Sequence, residues 1–175
     1  HFFAGRFRDA YPHTERAVAL GTIENSRQLS GPDKPAAYSR AISATILWML
    51  GAPDQARARS FEAIAMAREL GHIQSVVGAL VMASSWVLLL LDDRDAIKRA
   101  LTEAIPAAHE HGLSWWLALG VMAQAYVDIR DASDAAAVAR PVGVIEHTLA
   151  ALHAGGADLG RPIALQMLAE GYRRM

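Results

Sequence analysis

The feature that most constrains this chain is a glycine-centred break that recurs after apolar, helix-like stretches. The breaks lie roughly 40 to 50 residues apart, at Gly21, Gly71, Gly112 and Gly155. Glycine commonly ends a helix because it adopts a positive φ without a steric clash at Cβ. Shorter breaks divide these intervals, at 51–54, 92–95 and 131–134. Each interval is therefore expected to hold two helices.

The pattern predicts about eight helices, near residues 6–20, 36–50, 53–70, 73–91, 94–111, 114–130, 134 or 140–154, and 161–175. Asp92 or Asp93 and Ser114 are expected N-caps, because short polar side chains accept hydrogen bonds from the first free N–H groups of a helix. The stretch 21–34 is expected to be the one long loop.

Proline gives further boundary signals. Pro53 and Pro162 suit the first helical position, where the missing N–H costs nothing. Pro12 and Pro106 fall inside helical patterns and are expected to kink them or to shift a boundary, whereas Pro141 is expected to mark a restart.

Composition narrows the class of protein. Alanine supplies 35 of the 175 residues and 53% of the chain is hydrophobic, which favours helix and excludes an all-β or disordered chain. The absence of cysteine removes disulfides, thiolate metal sites and thiol nucleophiles, and it fits a cytoplasmic location. A net charge of −1 with scattered basic residues argues against a nucleic-acid partner.

Two-helix units that recur at this period are the sequence signature of an α-solenoid. Ala44, Ala56, Ala63 and Ala96 stand where tetratricopeptide repeats place small packing residues. We therefore predict an all-α, tetratricopeptide-like α-solenoid. Its antiparallel helix pairs would form a right-handed superhelical stack that spans 1–175 as a single domain.

Five segments carry a resemblance to a known family. They read GRFRDAYPHTERAVAL, LWMLGAPDQA, ARELGH, WLALG and GADLGRP, at 5–20, 47–56, 67–72, 116–120 and 156–162. Their order and spacing resemble the tetratricopeptide-like C-terminal region of large bacterial signalling proteins. Those proteins join a class III adenylate or guanylate cyclase, or another output domain, to a P-loop ATPase of the signalling type and then to such repeats.

The resemblance implies that any cyclase or ATPase activity belongs to other domains of a parent protein. The chain opens on His1 and stops at 173–175 inside a helical pattern, so we expect it to be a piece of a longer chain. Lys34 follows SGPD rather than a GxxxxGK[ST] phosphate loop. We expect this segment to be no enzyme and to need no cofactor.

One stretch is long and apolar enough to suggest a membrane span. Residues 73–91 carry no charge. Several polar residues interrupt the stretch, and the middle helix of a solenoid is buried on nearly all sides and loses its polar stripe. We therefore expect a buried helix and no membrane contact.

The histidines do not form a metal site. His109 and His111 are two residues apart, so on a helix they point in directions that differ by about 200° and cannot share an ion. His147 and His153 are also poorly spaced. No metal is expected.

The four tryptophans fall on the first helix of each pair, which in tetratricopeptide arrays lines the concave face. Trp48, Trp86 and Trp116 are expected to be core residues. Trp115 and Trp116 lie about 100° apart on one helix, so one of them should be partly exposed. The exposed tryptophan and nearby polar positions define a candidate peptide or ligand groove, made of Arg40, Ser43, Gln74, Trp115, Trp116 and Gln124.

The leading hypothesis is a non-catalytic protein-interaction or regulatory module. It would bind a protein or peptide partner, or other domains of its own chain, through the concave surface, and it could also form a homo-oligomer. The alternative is a small-molecule effector-sensing domain of a signalling ATPase, a cyclase or a transcriptional regulator.

Overall fold

The computed structural model describes residues 1–28 and 34–175, in which helices joined by short turns are the regular secondary structure and there is no strand. The helices are α1 (Phe7–Leu20), α2 (Ile23–Gln28), α3 (Pro35–Met49), α4 (Pro53–Leu70), α5 (Ile73–Ala83), α6 (Arg94–Glu110), α7 (Ser114–Asp131), α8 (Ala135–Ala154) and α9 (Arg161–Arg174). A 3₁₀ turn (Phe2–Ala4) precedes α1, and a π-helical turn (Ser84–Leu88) continues α5. The predicted all-α class is confirmed.

The predicted helix starts are confirmed only in part. Asp93 caps α6, since its carboxylate accepts a hydrogen bond from the Ala96 N–H at 3.2 Å. The N-cap predicted at Ser114 is wrong. Leu113 takes that place because its carbonyl already accepts the Leu117 N–H at 2.9 Å, so Ser114 is the first helical residue.

Three helices run through a proline without interruption, at Pro12, Pro106 and Pro141. The restart predicted at Pro141 is wrong. Asp134 caps α8 seven residues before that proline by accepting a hydrogen bond from the Ala137 N–H at 2.9 Å, so the earlier of the two predicted starts holds.

The long loop predicted for 21–34 is partly wrong, because it contains α2. Thr22 Oγ1 accepts the Asn25 N–H at 3.1 Å at the start of this helix. The Ser26 hydroxyl oxygen is buried and accepts the Ala36 N–H at 3.2 Å, which ties α2 to the first turn of α3. The rest of the predicted loop, 29–33, lies outside the described residues.

Two of the predicted helix-ending glycines act for different reasons. Gly71 has a φ of +64°, as a left-handed helix end requires. Gly21 has a φ of −78°, so the left-handed end predicted there is wrong. A Cβ on Gly21 would lie 2.9 Å from the Ala36 Cα, so the close approach of the α3 backbone is what calls for glycine at this position.

The helices pack in a regular order. From α3 onward each helix packs against the next one in sequence, and α1, α3, α5, α7 and α9 also contact one another in that order. The predicted small packing residues Ala44, Ala56, Ala63 and Ala96 are all buried at these contacts, at 3% exposure or less. Small side chains therefore let the helices approach closely, as expected.

The apolar stretch that suggested a membrane span is the most buried part of the fold. Every residue from Val77 to Leu88 is buried among the neighbouring helices, as predicted. Within the described ranges, only α8 is long and apolar enough to cross a membrane by length and composition, and most of its residues are exposed.

Candidate functional site

An open cleft of about 290 Å³ lies where α3, α5 and α7 come together. We call it the aromatic cleft. Its walls are Tyr38, Gln74, Trp86, Trp115 and Trp116, with Leu113, Ser114 and Leu159 at its edge. Among the described residues that line it, none is charged. Four aromatic rings from three helices therefore face one depression.

The start of α7 places two adjacent tryptophans in different environments. Successive residues of a helix point about 100° apart. Trp116 is 8% exposed and packs against Gly78 of α5, where an added Cβ would lie 3.1 Å from the ring atom Cζ2. Trp115 is half-buried. The prediction that one of the pair is partly exposed is confirmed.

Trp86 reaches the cleft from the π-helical turn. The Leu89 N–H donates to the Ser84 carbonyl at 3.1 Å, a bond that spans five residues rather than four. The Trp86 ring is 8% exposed, and the Phe2 ring lies 6.3 Å from it. The expectation that Trp86 is a core residue is confirmed, although one edge of this core residue forms a wall of the cleft.

A small cavity lies on the other side of Trp86. Ser85, Leu119 and Met167 are among the residues that line it. The Ser85 hydroxyl is buried in this wall and has no hydrogen-bond partner among the residues that the structure describes. An unpaired buried hydroxyl is costly, so it is a position at which a bound molecule could gain a hydrogen bond.

The structure brings together three of the six candidate groove residues, Gln74, Trp115 and Trp116. Gln124 lies elsewhere, in a depression that Arg140 and Val144 also line, and its amide donates to Asp128 Oδ1 at 2.8 Å. It is not part of the aromatic cleft.

Arg40 and Ser43 also lie apart from the aromatic cleft. The Arg40 guanidinium donates to the main-chain carbonyls of Gly21 at 3.0 Å and Ala36 at 2.6 Å. The Ser43 side chain is fully buried and donates to Glu15 Oε1 at 2.6 Å. Both side chains therefore hold the N-terminal helices against α3.

The Glu15 carboxylate is also paired with an arginine. Arg59 of α4 donates to Glu15 Oε1 at 2.8 Å and to the Ser43 hydroxyl at 3.0 Å. Burial alone would raise the pKa of Glu15, but the hydrogen bonds from Arg59 and Ser43 outweigh it and lower the pKa from its ordinary value. This cluster is structural, since it joins α1, α3 and α4 through atoms that bond one another.

Tyr38 and Leu159 belong to the aromatic cleft but are not among the predicted groove residues. Tyr38 lies two residues before Arg40 on α3, so the two side chains point about 200° apart and a groove predicted through Arg40 left Tyr38 out. Leu159 lies between α8 and α9 and is 48% exposed. Its place depends on how that connection folds back over α7, which no local pattern indicates.

Comparisons with known proteins found no protein-family model, no curated protein and no solved structure that matches this chain.

Proposed function

We propose that the helices form a tetratricopeptide-like α-solenoid of antiparallel pairs in a right-handed superhelical stack. The order of contacts supports this arrangement, because α3, α5, α7 and α9 contact one another in sequence while α4, α6 and α8 connect them. In such a stack the odd-numbered helices line one surface, and the aromatic cleft lies on it.

On this basis the chain acts as a non-catalytic interaction or regulatory module in the cytoplasm, as part of a multidomain bacterial signalling protein. It binds a short peptide segment of a partner protein at the aromatic cleft. The observation that carries this proposal is the convergence of Tyr38, Trp86, Trp115 and Trp116 on one uncharged depression. Tryptophan and tyrosine dominate peptide-binding surfaces because they bury a large apolar area with few rotatable bonds.

The chemistry of the cleft specifies its occupant. A volume of about 290 Å³ accommodates one or two apolar side chains, and an uncharged lining favours these over charged ones. Gln74 adds a polar, uncharged side chain to the wall. The occupant is therefore a peptide that presents an aromatic or large aliphatic anchor.

Selection from a random peptide display library tests this proposal. Selected peptides should carry an aromatic or aliphatic anchor, and Trp115→Ala should weaken their binding about tenfold or more. Phe61→Ala is the matched control because Phe61 is an exposed aromatic residue on α4, at 39% exposure, outside the cleft. Peptides that bind the Trp115→Ala and Tyr38→Ala variants as well as the parent chain would refute the proposal.

The second candidate function is the sensing of a small-molecule effector. The unpaired Ser85 hydroxyl behind Trp86 favours it, since a compact ligand that displaces the Trp86 ring would reach this group. A thermal-shift screen distinguishes the two functions, because a ligand at 100 times its dissociation constant adds about 2.7 kcal/mol of stability. A hit whose binding needs the Ser85 hydroxyl would favour sensing.

A further inference from the structure

A second, larger cleft lies where α6 begins and where α7 and α9 end. Its volume is about 740 Å³ and it is open to solvent. Four of the fifteen arginines of the chain line it, Arg94, Arg130, Arg173 and Arg174. We call it the arginine cleft. It shares no residue with the aromatic cleft.

Neighbouring groups hold two of these guanidinium groups in place. Arg94 donates to Asp92 Oδ1 at 3.1 Å and to Asp131 Oδ1 at 2.9 Å. Arg174 donates to the main-chain carbonyls of Arg130 at 2.9 Å and Ala132 at 3.4 Å, at the end of α7. These contacts restrict the arginines before any ligand arrives, so binding would cost less side-chain entropy.

The positive charge of the cleft is only partly balanced. The carboxylates among its lining residues are Asp134 and Glu170. Beside the lining, Asp92 pairs with Arg94 and Arg130, and Asp131 pairs with Arg94 and Lys98. Asp134 caps α8 through the Ala137 N–H and accepts the Ser133 hydroxyl, so both of its oxygens are used locally. The partners of Arg174 are neutral carbonyls. With the partners Asp92 and Asp131 included, the four arginines and Lys98 stand against four carboxylates, so one positive charge of the cluster remains unbalanced.

Glu170 is the lining carboxylate that pairs with an arginine of the cleft. Arg173, one turn later on α9, donates to both Glu170 oxygens, at 2.9 and 2.7 Å. These hydrogen bonds lower the pKa of Glu170 from its ordinary value, and the positive charges of Arg130 and Arg174 lower it further. The Glu170 carboxylate is thus within electrostatic reach of three of the four arginines.

We propose that the arginine cleft binds a compact polyanion that carries two or more phosphoryl groups, and that Glu170 competes with it. The planar guanidinium fork pairs with phosphate oxygens in a bidentate manner, and all four cations here are arginines rather than lysines. The volume suits an inorganic polyphosphate or the phosphate tail of a nucleotide. The proposal does not depend on the function of the aromatic cleft.

Calorimetric titration of the 175-residue chain with inorganic pyrophosphate at constant ionic strength tests the proposal. Glu170→Gln should tighten binding about threefold, and Arg174→Gln should weaken it about tenfold. Arg173→Gln is a second variant, for the case in which Arg174→Gln disturbs the end of α7. Arg68→Gln is the matched control, because Arg68 is an exposed arginine that pairs with Glu103 outside the cleft.

Parallel titrations with tripolyphosphate and ATP identify the source of the phosphoryl groups. Tighter binding of ATP assigns a nucleoside triphosphate, and equal binding assigns the phosphate chain alone; either result supports the proposal. Three results would overturn it. The first is that neither the parent chain nor the Glu170→Gln variant binds pyrophosphate saturably. The second is that the Arg68→Gln control loses as much affinity as Arg174→Gln, and the third is that citrate binds as tightly as pyrophosphate.

Discussion

The ring of Trp116 packs directly against the α-carbon of Gly78, so that an added Cβ would lie 3.1 Å from Cζ2 and 3.3 Å from Cε2. Gly78 lies in the interior of α5, where glycine normally costs stability relative to alanine. Trp116 explains the glycine at this position, because the missing side chain of Gly78 leaves room for the Trp116 ring at the aromatic cleft.

Gly78→Ala should therefore gain less stability than a glycine-to-alanine change in a helix normally does. The gain in helix propensity is opposed by the displacement of the Trp116 ring. Gly143→Ala is the matched control, because Gly143 also lies inside a helix but has no atom within 4 Å of an added Cβ. We expect Gly143→Ala to stabilise the fold by about 0.5–1 kcal/mol.

Denaturant unfolding of the two variants, together with tryptophan fluorescence, checks this prediction. Gly78→Ala should change the emission of the folded protein and Gly143→Ala should leave it unchanged. Equal stabilisation by both substitutions, with unchanged spectra, would show that Trp116 does not rest on Gly78.

Two adjacent serines should respond in opposite directions to the same substitution. Ser85 carries the buried, unpaired hydroxyl, so Ser85→Ala removes a desolvation cost and should raise the free energy of unfolding by about 1 kcal/mol. Ser84 is also buried, but its hydroxyl donates to the Leu80 carbonyl at 2.7 Å. Ser84→Ala should lower the free energy of unfolding by about 1 kcal/mol. A lower free energy of unfolding for Ser85→Ala would instead show that the Ser85 hydroxyl makes a hydrogen bond in the folded protein.

The stability of the chain should fall in acid partly through Glu15. Its pKa is lowered in the folded state from an ordinary value of 4.5, so the unfolded chain takes up the proton more readily. The stabilisation by Glu15 is thus fully present above pH 4.5 and is lost as the pH falls through the lower, folded-state value.

Glu15→Gln should flatten this pH dependence and destabilise the fold by about 1–2 kcal/mol at pH 7, because it leaves Arg59 with only one of its two carboxylate partners, the more exposed Glu62. Unfolding curves between pH 7 and pH 3 measure both effects. Glu103→Gln is the control, since that carboxylate belongs to an exposed pair with Arg68 and should cost less than about 0.5 kcal/mol. Parallel curves for the parent chain and Glu15→Gln would exclude a role for Glu15.

Much of the helix pattern was predictable because its signals are local. Pro53 and Gly71 act through their own backbone geometry, and Asp93 acts through a side-chain hydrogen bond to Ala96, three residues later; the structure places helix boundaries at all three. The short helix α2 was missed because six mostly polar residues show no apolar period, and its stability depends on the contact of Ser26 with Ala36.

The candidate site was predictable only where one helix decides the geometry. The angle between Trp115 and Trp116 follows from helical periodicity alone. Ser43 bonds instead to Glu15, 28 residues earlier, and to Arg59, 16 residues later. No pattern in the sequence indicates those partners, so a polar position on α3 was predicted to face a groove when it faces the interior.

The account rests on the aromatic cleft as a peptide-binding site, and the indole N–H resonances of the four tryptophans test it most directly. Trp48 is the internal control, because it packs in a separate cluster with Ala44, Leu47 and Ala56. Titration with a selected peptide should shift the resonances of Trp86, Trp115 and Trp116 along one saturable curve and leave Trp48 in place. Shifts at Trp48 alone, or saturable binding with no change at Trp115 and Trp116, would contradict the account.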